Sequence, residues 1–381
     1  MMELNDLRKE IDSIDDELVA LFARRMDVSA RIAGVKKEKS LPIFVPARER
    51  EKLAEVALKA GPELAKDTQV LYSMLFELSR GYQNKLNGSI SPLYTQITQA
   101  IESTPQLFPQ APMVACQGVE GAYSQIAGQR MFRNPFILYF KNQEAVFSAV
   151  AQGLCQYGIL PLENSTAGTP KKVYDLLIGH GFSIVRSCKV KIDHNLLANP
   201  GTKRSEIREI YSHQQAINQC SSFLQQFPDA TVIPVANTAM AAELVSKSER
   251  TDIAALSSRS CMELYHLECL APSVQDSDAE HTRFICFSKN LEIYPGADRT
   301  SLMLILPNRP GSLYKFLARL YVLGINVAKV ESRPMPDREL EMMFYFDLET
   351  PIYSEEFVQL MCELDDLCED FRYLGSYREI P

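Results

Sequence analysis

A chain of 381 residues, 46% of them hydrophobic, is long enough to build two or three domains with separate cores. Its formal charge of -8 argues against a general nucleic-acid binder but leaves room for a local basic pocket around a small anion. Nine scattered cysteines without a C-x-x-C pair, a charged N-terminus without an apolar signal core, and no apolar run of membrane-spanning length predict a cytoplasmic protein with no membrane span.

From Leu4 to about Lys37 the apolar residues Leu4, Leu7, Ile11, Ile14, Leu18, Leu21, Val28, Ile32 and Val35 recur at intervals of three, four or seven. That is the spacing of one long helix. Pro42 and Pro46 break the pattern, Ala47 to Ala60 resumes it, Gly61-Pro62 stops it, and Thr68 to Leu86 reads as a third helix. The first helix far outruns the second, so part of it lacks a cover within the chain. An interlocked homodimer would bury that part. Residues 88–112, rich in Ser, Thr, Gln and Pro, read as a linker. Short apolar runs such as "MVACQG", "FILYF" and "YGILPLENS" then alternate with helical segments, which is α/β patterning over 113–290. Residues 299–381 read as a βαββαβ unit.

On the first helix Arg25 and Lys36 are eleven residues apart, hence about 20° apart around the axis and roughly 16 Å apart along it. Their long side chains can converge on one small anion. Arg8 lies about 25 Å from Arg25 along the helix and about 100° away in direction, so it reaches such a pocket only from a partner chain. Arg48 and Glu49 open the second helix, and Ser79 and Gln83 share a face of the third. Taken singly, each charged residue reads as well as solvent-facing helix charge.

Together, "LRKEIDSIDDELVALFARRMDVSARIAGVKK", "PARERE" and "LFELSRGYQ" resemble the three helices of the all-helical chorismate mutases, over about residues 3–86. The resemblance implies a pericyclic rearrangement of chorismate to prephenate, with Arg8 (from the other chain), Arg25, Lys36, Arg48, Glu49, Ser79 and Gln83 in the site. Val45 stands where the family often has Asp, three residues before Arg48. A site rich in cations and free of nucleophiles suits that reaction: Arg25 and Arg8 hold two carboxylates, while Lys36 and Gln83 act catalytically at the ether oxygen where charge develops.

"PLENSTAG", residues 161–168, follows the apolar run Ile159 to Leu162, and the carboxyl ends of strands are where α/β folds place ligands. Alone, Glu163, Asn164 and Ser165 serve equally well as a turn or a helix cap. "IYSHQQAINQC" adds Ser212, His213 and Gln219, "HTRFICF" adds Thr282 and Arg283, and "GVEGAYSQ" offers a weak anion-binding turn. In order, these segments resemble the signatures of prephenate dehydratase over about 113–288. The resemblance implies two α/β lobes with a cleft between them, prephenate bound by Glu163, Asn164, Ser212, Gln219 and Arg283, and Thr282 as proton donor to the departing hydroxyl. Arg283 either orients a carboxylate or braces the lobes by an ion pair. His281, where the family often has Asn, is read as a supporting or surface residue. The histidines show no metal-ligand spacing, and no metal or other cofactor is expected.

"NRPGSLYKFLARLYVLGINVAKVESRP" resembles the ACT-type amino-acid-binding module. It implies L-phenylalanine as effector, near Asn308, Gly311, Ser312 and Leu313 on one side and Glu331, Ser332, Arg333 and Pro334 on the other. The expectation is a multidomain chain: an all-helical three-helix chorismate mutase domain (1–87), a linker (88–112), a two-lobed α/β prephenate dehydratase domain (113–290) and an α+β βαββαβ ACT domain (299–381). Chorismate and prephenate are the expected substrates, in phenylalanine biosynthesis, for a homo-oligomer, dimer or tetramer, without nucleic acid or membrane. A two-lobed small-molecule sensor is the rival from another class. The helical domain and "TRF" at 282–284 speak against it.

Overall fold

Residues 4–87 are helical throughout their main elements, as their apolar spacing requires; the computed structural model describes residues 4–87, 91–164, 171–277, 280–335 and 342–380. Ser165 to Gly168 of "PLENSTAG" lie outside the described residues. Helix α1 (Leu4–Glu38) has Asp6 in its first turn and Lys36 and Lys37 in its last, both favourable to the helix dipole. Its apolar row faces solvent in a single chain: Leu4 is 64% exposed and Leu21 60%, and only Ser29 and Ala33 are buried. Helix α2 (Pro46–Asn87) starts on a proline, whose missing N–H costs nothing there, and is non-helical at Gly61. The predicted second and third helices are therefore two arms of one kinked element. Helix α3 (Pro92–Ser103) lies in the stretch read as a linker, and it buries Ile97 and Ala100.

The α/β region begins with β1 (Met113–Gln117), α4 (Tyr123–Met131), β2 (Phe136–Phe140), α5 (Gln143–Ala151), β3 (Tyr157–Asn164), α6 (Lys171–His180) and β4 (Ser183–Lys191). The chain then leaves this sheet and builds a second one. That lobe contains β5 (Asn195–Ala198), β6 (Glu209–His213), α7 (Gln214–Gln219), α8 (Ser221–Leu224), β7 (Thr231–Val235), α9 (Thr238–Ser246), β8 (Ile253–Ser257), α10 (Arg259–Leu264) and β9 (Glu268–Ala271), with strands in the order β7-β6-β8-β5-β9. Strand β10 (His281–Ser288) returns to the first sheet between β3 and β4, antiparallel to both, to give β4-β10-β3-β1-β2. Each lobe has its own apolar core, one around Val114, Ile159 and Phe284 and the other around Leu197, Ala242 and Leu256. The chain passes between the lobes twice, after β4 and before β10, and Gln219, in the helix after β6, meets Glu280, just before β10.

The remaining elements are β11 (Arg299–Ile305), α11 (Ser312–Val322), β12 (Asn326–Pro334), β13 (Met342–Glu349), α12 (Glu355–Leu367) and β14 (Asp370–Ile380), with sheet order β12-β13-β11-β14. This is the expected βαββαβ arrangement. Gly311, at φ 85°, caps α11, and the Ser354 side chain accepts from Phe357 N to cap α12. Phe316, Leu320, Phe346, Phe357 and Leu364 fill the space beneath.

By compactness the chain forms two units that do not follow chain order: residues 1–98 with 303–371, and 99–302 with 372–381. In the first, α2 packs on α11 and α12 through Arg319, which makes a buried two-point ion pair with Glu363 at 2.5 and 2.7 Å. A side chain at Gly81 of α2 would place its Cβ 2.6 Å from the Arg319 guanidinium, so the absence of one permits this approach. Gln359 Nε2 donates to Gly81 O at 3.3 Å. In the second unit the closing residues 378–380 pair in parallel with β4.

Candidate active sites

In the helical region Arg25 leaves α1 toward the second arm of α2. Its guanidinium donates to Ser79 Oγ and, at 3.1 Å, to Leu75 O. Burial lowers the Arg25 pKa. Lys36, also lowered by burial but supported by nearby Glu49, donates to Ile43 O at 2.6 Å. Gln83, four residues after Ser79, is buried, and its side-chain carbonyl has no hydrogen-bond partner among the described residues. A buried carbonyl without a partner is uncommon. Glu49 is taken by Arg80, which also holds Glu77 and lies 4.8 Å from the centre of the Phe44 ring. Burial disfavours the Arg80 charge, but its two carboxylates outweigh that and raise its pKa. Arg48 is largely exposed and pairs with Glu51 at 2.7 Å. Arg8 is exposed, near the other end of α1. Within one chain Arg25 thus meets Ser79, Lys36 lies near Glu49 and Gln83 is buried one turn after Ser79, while Arg8 and Arg48 are exposed.

In the α/β region strand register brings four of the candidate residues together. Thr282 of β10 faces Asn164 of β3, and Arg283 faces Glu163, with an irregularity just after Arg283 that re-aims the strand. Asn164 Nδ2 donates to Thr282 Oγ1 at 2.8 Å, with both residues buried. Arg283 is buried as well. Its Nη1 is 3.9 Å from a Glu163 carboxylate oxygen, its Nε 3.0 Å from Glu379, and its Nη2 donates to Tyr377 OH at 2.6 Å. From the second lobe, Ser212 is fully buried at the end of β6 and donates to Leu256 O at 2.8 Å, which leaves its oxygen lone pairs to accept. Gln219 of α7 donates to Glu280, two residues before Thr282, and meets His194 Nε2 at 3.1 Å. The loop "GVEGAYSQ" is occupied differently from its reading as an anion-binding turn. Gly121 N donates to Gln125 Oε1 at 2.6 Å, and the Gly121 carbonyl accepts from Ser258 at 3.3 Å, so the turn docks one lobe on the other.

Two family models match: chorismate mutase type II over residues 7–84 and prephenate dehydratase over residues 114–292. The bifunctional chorismate mutase/prephenate dehydratase of Aquifex aeolicus is 31% identical over 381 residues, spanning 99% of this chain and 98% of that one. The chain belongs to the bifunctional chorismate mutase/prephenate dehydratase family. Among solved structures, a prephenate dehydratase from Arthrobacter aurescens in complex with L-Phe is similar at a TM-score of 0.63 and 26% identity, covering 70% of this chain and 89% of that one. A protein described as a quorum-quenching acylase, GqqA, is similar at a TM-score of 0.64 and 29% identity, covering 71% and 98%.

C-terminal to the dehydratase lobes, the expected effector residues fall in two places. Asn308, Gly311, Ser312 and Leu313 occupy the turn after β11 and the start of α11. Glu331, Ser332, Arg333 and Pro334 end β12, where Arg333 pairs with Glu331 at 2.9 Å and lies over the Tyr345 ring. Strand β13 separates β12 from β11, so within one chain the second group lies on a strand not adjacent to the one that leads into the first.

Four partners of the candidate residues escape sequence reasoning. Arg80, beside Glu49, carries a local signal, since it is three residues after Glu77 on a helix. Glu280 and His194, which hold Gln219, are 61 and 25 residues from it. Tyr377 is 94 residues from Arg283 and carries no signal at all.

Proposed function

We infer that this chain rearranges chorismate to prephenate in its helical N-terminal region and converts prephenate to phenylpyruvate in its α/β region, as an enzyme of phenylalanine biosynthesis. The observation that carries the second step is the buried Asn164 to Thr282 hydrogen bond. Because Asn164 donates into Thr282 Oγ1, the threonine keeps its own hydrogen for another acceptor, and the incoming bond makes that hydroxyl a better donor. In the reaction the bond from the ring to its carboxylate breaks and carbon dioxide leaves. That electron pair completes the aromatic ring as the C4–O bond breaks, and the departing hydroxide takes the proton that Thr282 presents, directly or through water held at Ser212. Glu163, Asn164, Gln219 and Arg283 orient the substrate.

For the first step Arg25 and a partner chain's Arg8 hold the two carboxylates, and Lys36 and Gln83 meet the ether oxygen as its C–O bond opens. Arg48, Glu49 and Ser79 line the same pocket. The exposed apolar row of α1 supports a homodimer in which each long helix covers the other. The working boundaries are 1–87 for the mutase, 113–290 for the dehydratase and 299–381 for an ACT-type regulatory module, in a cytoplasmic enzyme that needs no cofactor. L-Phenylalanine binds between the β11–α11 turn of one module and the β12 end of another, and pairing of modules joins mutase dimers into tetramers. The exposed Tyr314, Leu317 and Tyr321 of α11 and Val330 of β12 support such pairing.

The deciding experiment adds chorismate to the purified full chain and follows chorismate, prephenate and phenylpyruvate separately. Sequential appearance of prephenate and phenylpyruvate is expected, and loss of chorismate without keto acid would remove the dehydratase half. Calorimetric titration with L-phenylalanine, on the full chain and on a Gly311→Val/Glu331→Gln variant, tests the effector site. A truncation before residue 299 is unsuitable, because residues 372–381 belong to the same compact unit as the dehydratase lobes.

A further inference from the structure

Strand β14 closes the chain and lies against β4 more tightly than an ordinary side chain permits. A Cβ at Gly375, where φ is 129°, would be 2.3 Å from Ile184 O, so only glycine fits. From there the strand presents Tyr377 and Glu379 to the buried end of β10. The Tyr377 hydroxyl accepts from Arg283 Nη2 at 2.6 Å and meets Ser301 Oγ at 2.6 Å, and Tyr377 is 1% exposed. Glu379 is 3.0 Å from Arg283 Nε, 3.3 Å from Arg299, 3.4 Å from Lys189 and 3.3 Å from Ser187 Oγ. By contrast Glu163, the acidic residue opposite Arg283 in the β3–β10 register, stands 3.9 Å away. Of these two carboxylates Glu379 of the last strand lies nearer to Arg283, and the hydrogen bond to Tyr377 of the same strand fixes the Nη2 edge of the guanidinium.

We propose that Tyr377 and Glu379 are positioning residues of the dehydratase: they hold Arg283, and through it the adjacent Thr282 and the facing Glu163, in the geometry that turns prephenate over. This rests on the reading of Thr282 and Arg283 as site residues. It assigns the C-terminal strand, outside the α/β lobes in sequence, to the dehydratase reaction. A buried arginine that lost Glu379 would turn toward Glu163 and remove that carboxylate from its work at the substrate, while Asn164, Ser212 and Gln219 stayed in place to bind it.

The test uses the full chain with Glu379→Gln, Tyr377→Phe, Arg283→Gln and the Arg283→Gln/Glu379→Gln double variant. Mutase rate and melting temperature are measured beside prephenate kcat and KM. For E379Q the expected result is a kcat lower by about tenfold with KM changed less than about twofold, and for Y377F a smaller loss of the same kind, with mutase turnover unchanged. The double variant should be no slower than R283Q alone, because Glu379 acts through Arg283. Losses that multiply in the double variant would overturn the proposal, as would normal prephenate turnover in both E379Q and Y377F when R283Q is impaired. Full turnover in R283Q would instead overturn the reading of Arg283 on which the proposal stands. Should E379Q fold poorly, Y377F, which removes only one hydroxyl, carries the same kcat and KM comparison.

Discussion

The mutase and dehydratase regions differ in how far one chain can complete a polar site. In the mutase region, Arg25 and Lys36 are anchored on α1, yet the same helix exposes its apolar row and Arg8 stands apart. In the dehydratase region Thr282, Asn164, Ser212 and Arg283 are all buried and bonded within the chain. A single long helix presents residues around all sides of a cylinder, so it needs other helices to enclose what it carries. Strands set side by side enclose by register, and two lobes joined at strand ends supply both walls. The helical site is thus expected to depend on assembly and the sheet site on register.

The sharpest test of that contrast is Arg25→Ala. It should lower mutase turnover by about 10³-fold, the upper end for loss of one charge-stabilising donor, and spare conversion of supplied prephenate. Parallel collapse of both reactions in a folded variant would show that the regions are not independent. Mixed dimers of Arg8 and Arg25 variants should regain part of the mutase rate, and no recovery in verified mixed dimers would place the whole site in one chain.

Thr282→Ala should lower prephenate turnover by about 10²-fold and leave the mutase intact, while Thr282→Ser, which keeps the hydroxyl, should retain more. If serine proves as poor as alanine with normal binding of a prephenate analogue, the hydroxyl is not the donor.

A smaller effect is expected at the joint between α2 and the C-terminal helices. Gly81→Ala pushes a methyl group into a guanidinium pinned by Glu363, at a cost of about 1–3 kcal/mol, and it should disturb Ser79 and Gln83 on the same helix. Urea unfolding together with both rates measures this. An unchanged midpoint would mean that Arg319 moves aside freely.

The smallest effect concerns acid. Burial lowers the pKa of His194 from its ordinary 6.5, so the folded state binds fewer protons at this site than the unfolded chain does. Stability from this residue is therefore present above the unfolded value and is lost as pH falls below about 6.5 toward the lower folded pKa. Burial lowers His213 in the same way. Melting temperatures from pH 7.5 to 5.5 should fall, and His194→Gln should flatten the decline. An identical decline in that variant would assign it to other groups.

Much of this was legible locally. The spacing of Leu4 to Val35, the breaks at Pro46 and Gly61, the alternation of strands and helices and the closing βαββαβ order all follow from periodicities set within a few residues. The helix around 92–103 was less legible, because its Ser, Thr and Gln content masks a short apolar stripe at Ile97 and Ala100. The candidate residues were legible as a set through their motifs, but their connections were not. Glu49 is occupied by Arg80, Gln219 is held by His194 and Glu280, and Arg283 is bound by Tyr377 and Glu379.

What the sequence determined by itself is the kind and order of elements, because helix and strand periods are read over one or two turns of chain. Only the tertiary structure decided that β10 returns between β3 and β4 to set Thr282 against Asn164, and that β14 ends beside β4 with its carboxylate on Arg283. Those pairings join residues far apart in the chain. They are fixed by sheet register and by the need of buried charges for partners, neither of which leaves a periodic trace in the sequence.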